Sequence, residues 1–263
     1  IGKKQAYPIL LDGLKKLEYR GYDSSGVAVM NGSLSLLKKE GNVTALEQYA
    51  MDKKTDGNIG LGHTRWATHG VPSDLNAHPH QSQSGRLTIV HNGIIENHRL
   101  LKQMLQSKGF TFQSETDTEV LVQLIEWMQK TYAISTRSAL ARALEMVEGS
   151  FAIVVFDLYD PTKLWAARRQ SPLVLGLGEQ ECLISSDAMP LAKYLSEVVY
   201  VENDIIIEMT DNGVHHFFDL QLEEVTQQRV TIAQDEFVTE KEGFDSYMLK
   251  EIHEQPRAVA RLL

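Results

Sequence analysis

The sequence predicts an α+β protein built on largely antiparallel sheets. Strand-like runs come first, two helices follow in mid-chain, and short apolar runs crowd the second half without regular β-α alternation. Two Asn-Gly dipeptides, Asn31-Gly32 and Asn212-Gly213, fall between such runs and readily take the positive φ angles of a tight hairpin. The 263 residues are 43% hydrophobic and 23% charged, which suits a sizeable core in one large domain, or one domain and part of another.

The elements follow in order. Ala6, Ile9, Leu10, Gly13, Leu14 and Leu17 recur at three- and four-residue steps and predict an amphipathic helix over 5–18. Runs at 27–30 and 34–37 read as a hairpin about Asn31-Gly32, and a short helix is expected over 43–51. Residues 86–91 read as a buried strand, 96–107 as a helix ended by Gly109. Thr116 or Ser114 caps a helix over 117–130, and Ser135 one over 136–147. Seven apolar runs follow, at 151–157, 163–168, 172–177, 181–185, 198–202, 205–209 and 214–218. Polar, charge-rich composition over 227–243 places a linker at 231–244, between a domain at 1–230 and a second one entered at 245–263. There Asp245 is expected to cap a helix carrying Met248, Leu249 and Ile252, which Pro256 kinks or ends.

Composition excludes some roles. With 26 Lys and Arg against 35 Asp and Glu, a net charge of −9 and no basic run, the chain is not expected to bind nucleic acid. No apolar stretch approaches the roughly 18 residues of a bilayer span, so no membrane partner is expected. The single cysteine, Cys182, precludes an intrachain disulfide and fits a reducing compartment. The chain opens on Ile1 without a basic-then-apolar leader, and a cytoplasmic location is the expectation.

Three polar clusters carry the candidate chemistry: His63 to Gly70 with Asn76 to His80, His91 to Asn97, and Ser114 to Glu119. Arg65 offers a planar fork of donors for a carboxylate. Asp117 offers a negative charge for an ammonium. Asn92 and the backbone N–H of Gly93 are a plausible donor pair for an oxyanion, because glycine permits close backbone approach. Together they describe a pocket for an amino acid undergoing acyl transfer, with the nucleophile missing. Taken singly, each has a plainer reading: Arg65 as an ion-pair arginine, Asn92-Gly93 as a turn, Asp117 as a helix-start charge. Five of the nine histidines fall between His63 and His91, but no cysteine joins them and no zinc spacing is present, so no metal is expected. Cys182, inside an apolar run, reads as a small strand residue.

On these residues the chain resembles the glutaminase domains of the glucosamine-6-phosphate synthase family, the isomerising glutamine–fructose-6-phosphate aminotransferases. The carriers are Leu17 to Ser24, His63 to Gly70, Asn76 to His80, His91 to Asn97 and Ser114 to Glu119, with Tyr247 to Pro256 similar to the family's link into its sugar-isomerase half. The resemblance implies a four-layer αββα sandwich of two mainly antiparallel sheets between helices, of the N-terminal-nucleophile hydrolase type. It implies that an N-terminal cysteine attacks the glutamine amide with its own α-amine as base, without cofactor or metal. By matching positions it assigns Arg65 to the α-carboxylate, Asp117 to the α-ammonium and Asn92 with Gly93 to the oxyanion hole. It also assigns Thr68 and His69 to the loop over glutamine, Trp66 to ammonia passage, and Arg20 to a supporting place near the nucleophile.

L-glutamine is then the expected partner. Fructose 6-phosphate is expected only through an isomerase domain begun at 245–263 and otherwise absent. A full-length homodimer is expected, with this fragment monomeric. Family members carry Cys-Gly-Ile-Val-Gly and one further residue ahead of the position of Ile1. The chain as written is therefore expected to bind glutamine weakly and not to hydrolyse it. The competing reading is a non-catalytic glutamine-binding module.

Overall fold

The computed structural model describes residues 1–232, 243–244 and 247–260. Its helices are α1 (Ala6–Leu17), α2 (Val43–Ala50), α3 (His98–Ser107), α4 (Asp117–Tyr132), α5 (Thr136–Glu145), α6 (Met189–Ala192) and α7 (Tyr247–Ala260), with a 3₁₀ turn at Glu18–Arg20. The first strands are β1 (Ser24–Met30), β2 (Leu34–Glu40), β3 (Ile59–Arg65), β4 (His80–Gln81), β5 (Leu87–Ile95) and β6 (Gly149–Asp157). Then come β7 (Lys163–Arg169), β8 (Val174–Leu177), β9 (Cys182–Ser185), β10 (Glu197–Tyr200), β11 (Ile205–Thr210), β12 (His215–Phe218), β13 (Glu224–Val225) and β14 (Val230–Thr231).

One sheet has seven strands in the order β13-β12-β11-β7-β6-β5-β4. Facing it lie a three-stranded sheet, β2-β1-β3, and a four-stranded sheet, β14-β10-β8-β9. Every pairing is antiparallel. The strand period of two sorts the side chains into layers. In β6, Phe151, Ile153 and Val155 pack on α4 and α5, whereas Ala152, Val154 and Phe156 face the two smaller sheets. Outside those sheets, α1 and α2 cover β1 and β2 through Leu11, Leu14, Leu37 and Leu46. The α6 segment covers β8 and β10. The result is an αββα sandwich.

The two smaller sheets meet at the start of the chain. Ile1 exchanges two backbone hydrogen bonds with Cys182 of β9 (3.0 and 2.8 Å), and the Gly2 N–H donates to the carbonyl of Asn58, next to β3 (3.2 Å).

The structure departs from expectation in places that matter. The strand expected to stop at 91 runs on to Ile95, which puts Asn92 and Gly93 inside β5 rather than after it. A hydrophobic-run criterion ends at a polar residue, but the backbone ladder to β6 does not: Asn92 still pairs with Ala152 and Gly93 with Phe151. Thr116, not Ser114, caps α4, accepting from the Glu119 N–H. Pro256 does not end α7, which runs through it to Ala260. The carbonyl that proline leaves unpaired one turn back belongs to exposed Ile252, where water can bond it. Asp245 and residues 233–242 lie outside the described residues; Ile232 is buried beside α6. Among the described residues no helix is long and apolar enough to cross a membrane.

Candidate active site

Three elements converge where β3, β5 and the start of α4 meet. Arg65 ends β3 and is 4% exposed. Its Nη2 donates to the carbonyls of His69 and Gly70 (the latter 3.1 Å), while its Nη1, also buried, has no partner among the described residues. Asp23 and Asp117 supply the nearby negative charge that opposes the effect of burial on the guanidinium. Both are otherwise engaged. Asp23 accepts from the Ala67 N–H (2.8 Å), and Asp117 Oδ2 accepts from the Ile95 N–H (2.8 Å).

Asp117 occupies the first turn of α4, where the helix dipole favours a carboxylate. The cap above it is built by Glu119, whose carboxylate accepts from the backbone N–H of Gln113 (2.8 Å) and of Ser114 (2.6 Å). Ile95 N–H is free to reach Asp117 because β4 pairs with β5 only opposite Thr88 and Ile89. Beyond those residues that edge of β5 has no strand partner among the described residues. Gly93 adopts φ +128°, and a Cβ there would fall 2.2 Å from the Ser150 carbonyl oxygen. Only glycine fits this approach.

A cavity of about 420 Å³ brings these groups together. Arg20, Arg65, Trp66, Thr68, Asn92, Gly93 and Asp117 all line it, over an apolar floor that includes Leu10, Leu14, Val90 and Leu173. Its size falls in the range of small-molecule sites. His69 is placed differently: its carbonyl receives Arg65, and its ring packs edge-on against His98 at 4.7 Å between centroids. Trp66 is 59% exposed at the rim, edge-on to Tyr22. Arg20 pairs with Asp187 (2.6 Å).

Sequence reasoning assigned no role to the groups that hold this site. Asn76 ties the 66–76 loop to the cap of α4, donating to the Val71 carbonyl (3.0 Å) and accepting from the Glu115 N–H (3.0 Å). Lys38 donates to the Leu75 carbonyl (2.9 Å), and burial pulls its pKa down to about 8. His63 contacts Asn92. Its signal was available: it lies two residues before Arg65 on the same buried face of β3.

His63, His78 and His91 also line the cavity, with His80 next to them, and all four are buried. Burial lowers the pKa of each, that of His63 to about 4, so all four rings are neutral at pH 7. Among the described residues no three His, Cys, Asp or Glu side chains are placed to hold a metal ion. Cys182 also lines the cavity, but burial pushes its thiol up to about 11, which leaves almost no thiolate.

Comparison with known proteins decides the family. The glutamine amidotransferase domain family matches residues 50–237. The chain belongs to that family. It is 47% identical over 98% of its length to a protein of Bacteroides thetaiotaomicron named glutamine–fructose-6-phosphate aminotransferase (isomerizing), and 44% identical over 97% to one of the same name from Thermus thermophilus. It spans 42% of the length of each. The fold matches a solved glutamine phosphoribosylpyrophosphate amidotransferase from B. subtilis with a TM-score of 0.72 at 26% identity, over 85% of this chain and 48% of the other. A structure described as the allosteric regulatory enzyme of purine biosynthesis matches with a TM-score of 0.73 at 26% identity, over 84% of this chain and 48% of the other. The αββα sandwich is therefore the N-terminal-nucleophile amidotransferase fold.

Proposed function

We propose that this chain is the glutamine-hydrolysing half of a glucosamine-6-phosphate synthase, releasing ammonia from L-glutamine for transfer to fructose 6-phosphate. The observation that carries the reading is Arg65. A buried guanidinium with one nitrogen anchored by backbone carbonyls and the other unpartnered at a cavity wall suits an incoming carboxylate. In this reading Arg65 Nη1 takes the glutamine α-carboxylate and Asp117 its α-ammonium. Asn92 Nδ2 and the Gly93 N–H receive the oxyanion. Thr68, Trp66 and the loop over the cavity close on the substrate, and Arg20 supports the far rim.

The nucleophile we assign is a cysteine ahead of Ile1, and backbone register supports its placement. Gly2 is bonded to Asn58, and a chain continued ahead of Ile1 antiparallel to β3 gains one residue for each step along that strand. Arg65 lies seven steps beyond Asn58. The seventh residue back from Gly2, the sixth ahead of Ile1, therefore draws level with Arg65. There its thiolate attacks the side-chain amide carbon and the carbonyl electrons move onto oxygen. Collapse of the tetrahedral adduct expels ammonia, which takes its third proton from the α-amine that had accepted the thiol's. Water then cleaves the thioester to glutamate.

Ammonia release by the full-length chain beginning with cysteine tests the proposal. Glutamine-dependent ammonia production that disappears when this cysteine becomes alanine is expected. Binding of glutamine without turnover by the cysteine-bearing chain would instead indicate a non-catalytic binding module.

A further inference from the structure

The geometry points to His63 as a positioning residue that fixes the Asn92 side-chain amide with its NH₂ toward the cavity; this rests on the glutaminase reading above. Asn92 Oδ1 lies 2.8 Å from His63 Nε2. An amide oxygen can only accept, so the hydrogen in that contact sits on the ring, at Nε2 of His63. Burial supports the neutral form. With its oxygen tied, the amide has one end left, and Nδ2 makes no hydrogen bond among the described residues. An oxyanion hole needs that orientation. An amide rotated by half a turn would present oxygen to oxygen and repel the charge it should stabilise.

The ring is itself held in place. It packs on His78 at 4.3 Å between centroids. The Thr118 hydroxyl bridges His78 Nε2 (3.2 Å) and His91 Nδ1 (3.0 Å), and His91 precedes Asn92 in β5. The contacts thus close a circuit from His63 through His78, Thr118 and His91 back to Asn92. Each of these rings is buried.

The test is steady-state glutamine hydrolysis by the full-length enzyme beginning with cysteine. His63→Leu keeps an apolar filler but removes the donor. We expect kcat to fall about 10- to 100-fold, with KM and the affinity for the product L-glutamate changed less than about threefold. His63→Gln returns an N–H near the Nε2 position and should recover most of the loss. In an Asn92→Ala background His63→Leu should add little further. Equal damage from leucine and glutamine, or a loss that appears in glutamate affinity, would show a merely structural role and overturn the inference. Unchanged kcat in His63→Leu would do so too. Arg65→Leu in the same enzyme separates the levels: if it leaves KM and glutamate affinity intact, the glutaminase reading itself has failed.

Discussion

Two arginines of this molecule, Arg65 and Arg86, solve the same physical problem in opposite ways. Arg86 lies on the helix-covered side of the seven-stranded sheet and forks onto Asp157 with two bonds, 2.9 and 2.8 Å. Asp157 is completed by the Thr136 hydroxyl (2.6 Å) and the Tyr159 N–H (2.9 Å). Burial alone would raise the Asp157 pKa, but these partners outweigh it and hold the carboxyl below its ordinary range. Both oxygens of this carboxylate are taken. At Arg65 the nearby carboxylates each accept a backbone N–H, and one guanidinium nitrogen remains unpartnered among the described residues. A buried charge whose bonding is complete serves stability, while one left incomplete at a cavity wall is poised for a ligand.

The largest expected effect breaks the comparison on the functional side. Arg65→Leu should lower kcat/KM for glutamine about 1000-fold, since charge-assisted hydrogen bonds contribute about 1.5–3 kcal/mol each. Arg86→Leu should leave kcat/KM within about twofold and lower Tm instead. On the structural side, Asp157→Asn should destabilise the fold by about 3 kcal/mol in urea unfolding, because it strands a half-buried guanidinium.

Acid sharpens the contrast. The four buried histidines have folded pKa values below 6.5, so from about pH 6.5 downward, and to about 4 for His63, the unfolded chain binds protons before the folded chain does. Stability must therefore fall as pH drops through that window. For His63, with a pKa of about 4, the loss by pH 5 is about 2 kcal/mol. Urea midpoints at pH 7 and 5 check this, and His63→Gln should flatten the dependence. The smallest effect concerns the loop. Lys38→Met removes one bond to Leu75, worth about 1 kcal/mol, and should raise KM for glutamine about fivefold with kcat unchanged.

Much of this arrangement was legible from residue type and spacing. The hairpin at Asn31-Gly32 and the cap at Thr116 follow from local chemistry that tertiary context did not override. Arg65, Asn92, Gly93 and Asp117 stood out because a fork of donors, an amide beside a glycine and a helix-start carboxylate are complementary to one zwitterion. What local reading missed depends on packing between distant segments. No pattern in residues 76–80 announces that Asn76 latches onto Glu115, or that His78 stacks on His63. The end of β5 was hidden for a related reason: a strand may be carried by its ladder past the point where its side chains stop being apolar.

Calorimetry with L-glutamate and its decarboxylated and deaminated analogues, against the wild-type chain and Arg65→Leu, bears on the central claim most directly. Loss of the α-carboxylate should weaken binding to the wild-type chain about 100-fold or more and leave binding to Arg65→Leu nearly unaffected, because the two groups meet each other. Equal losses in both proteins would contradict the account.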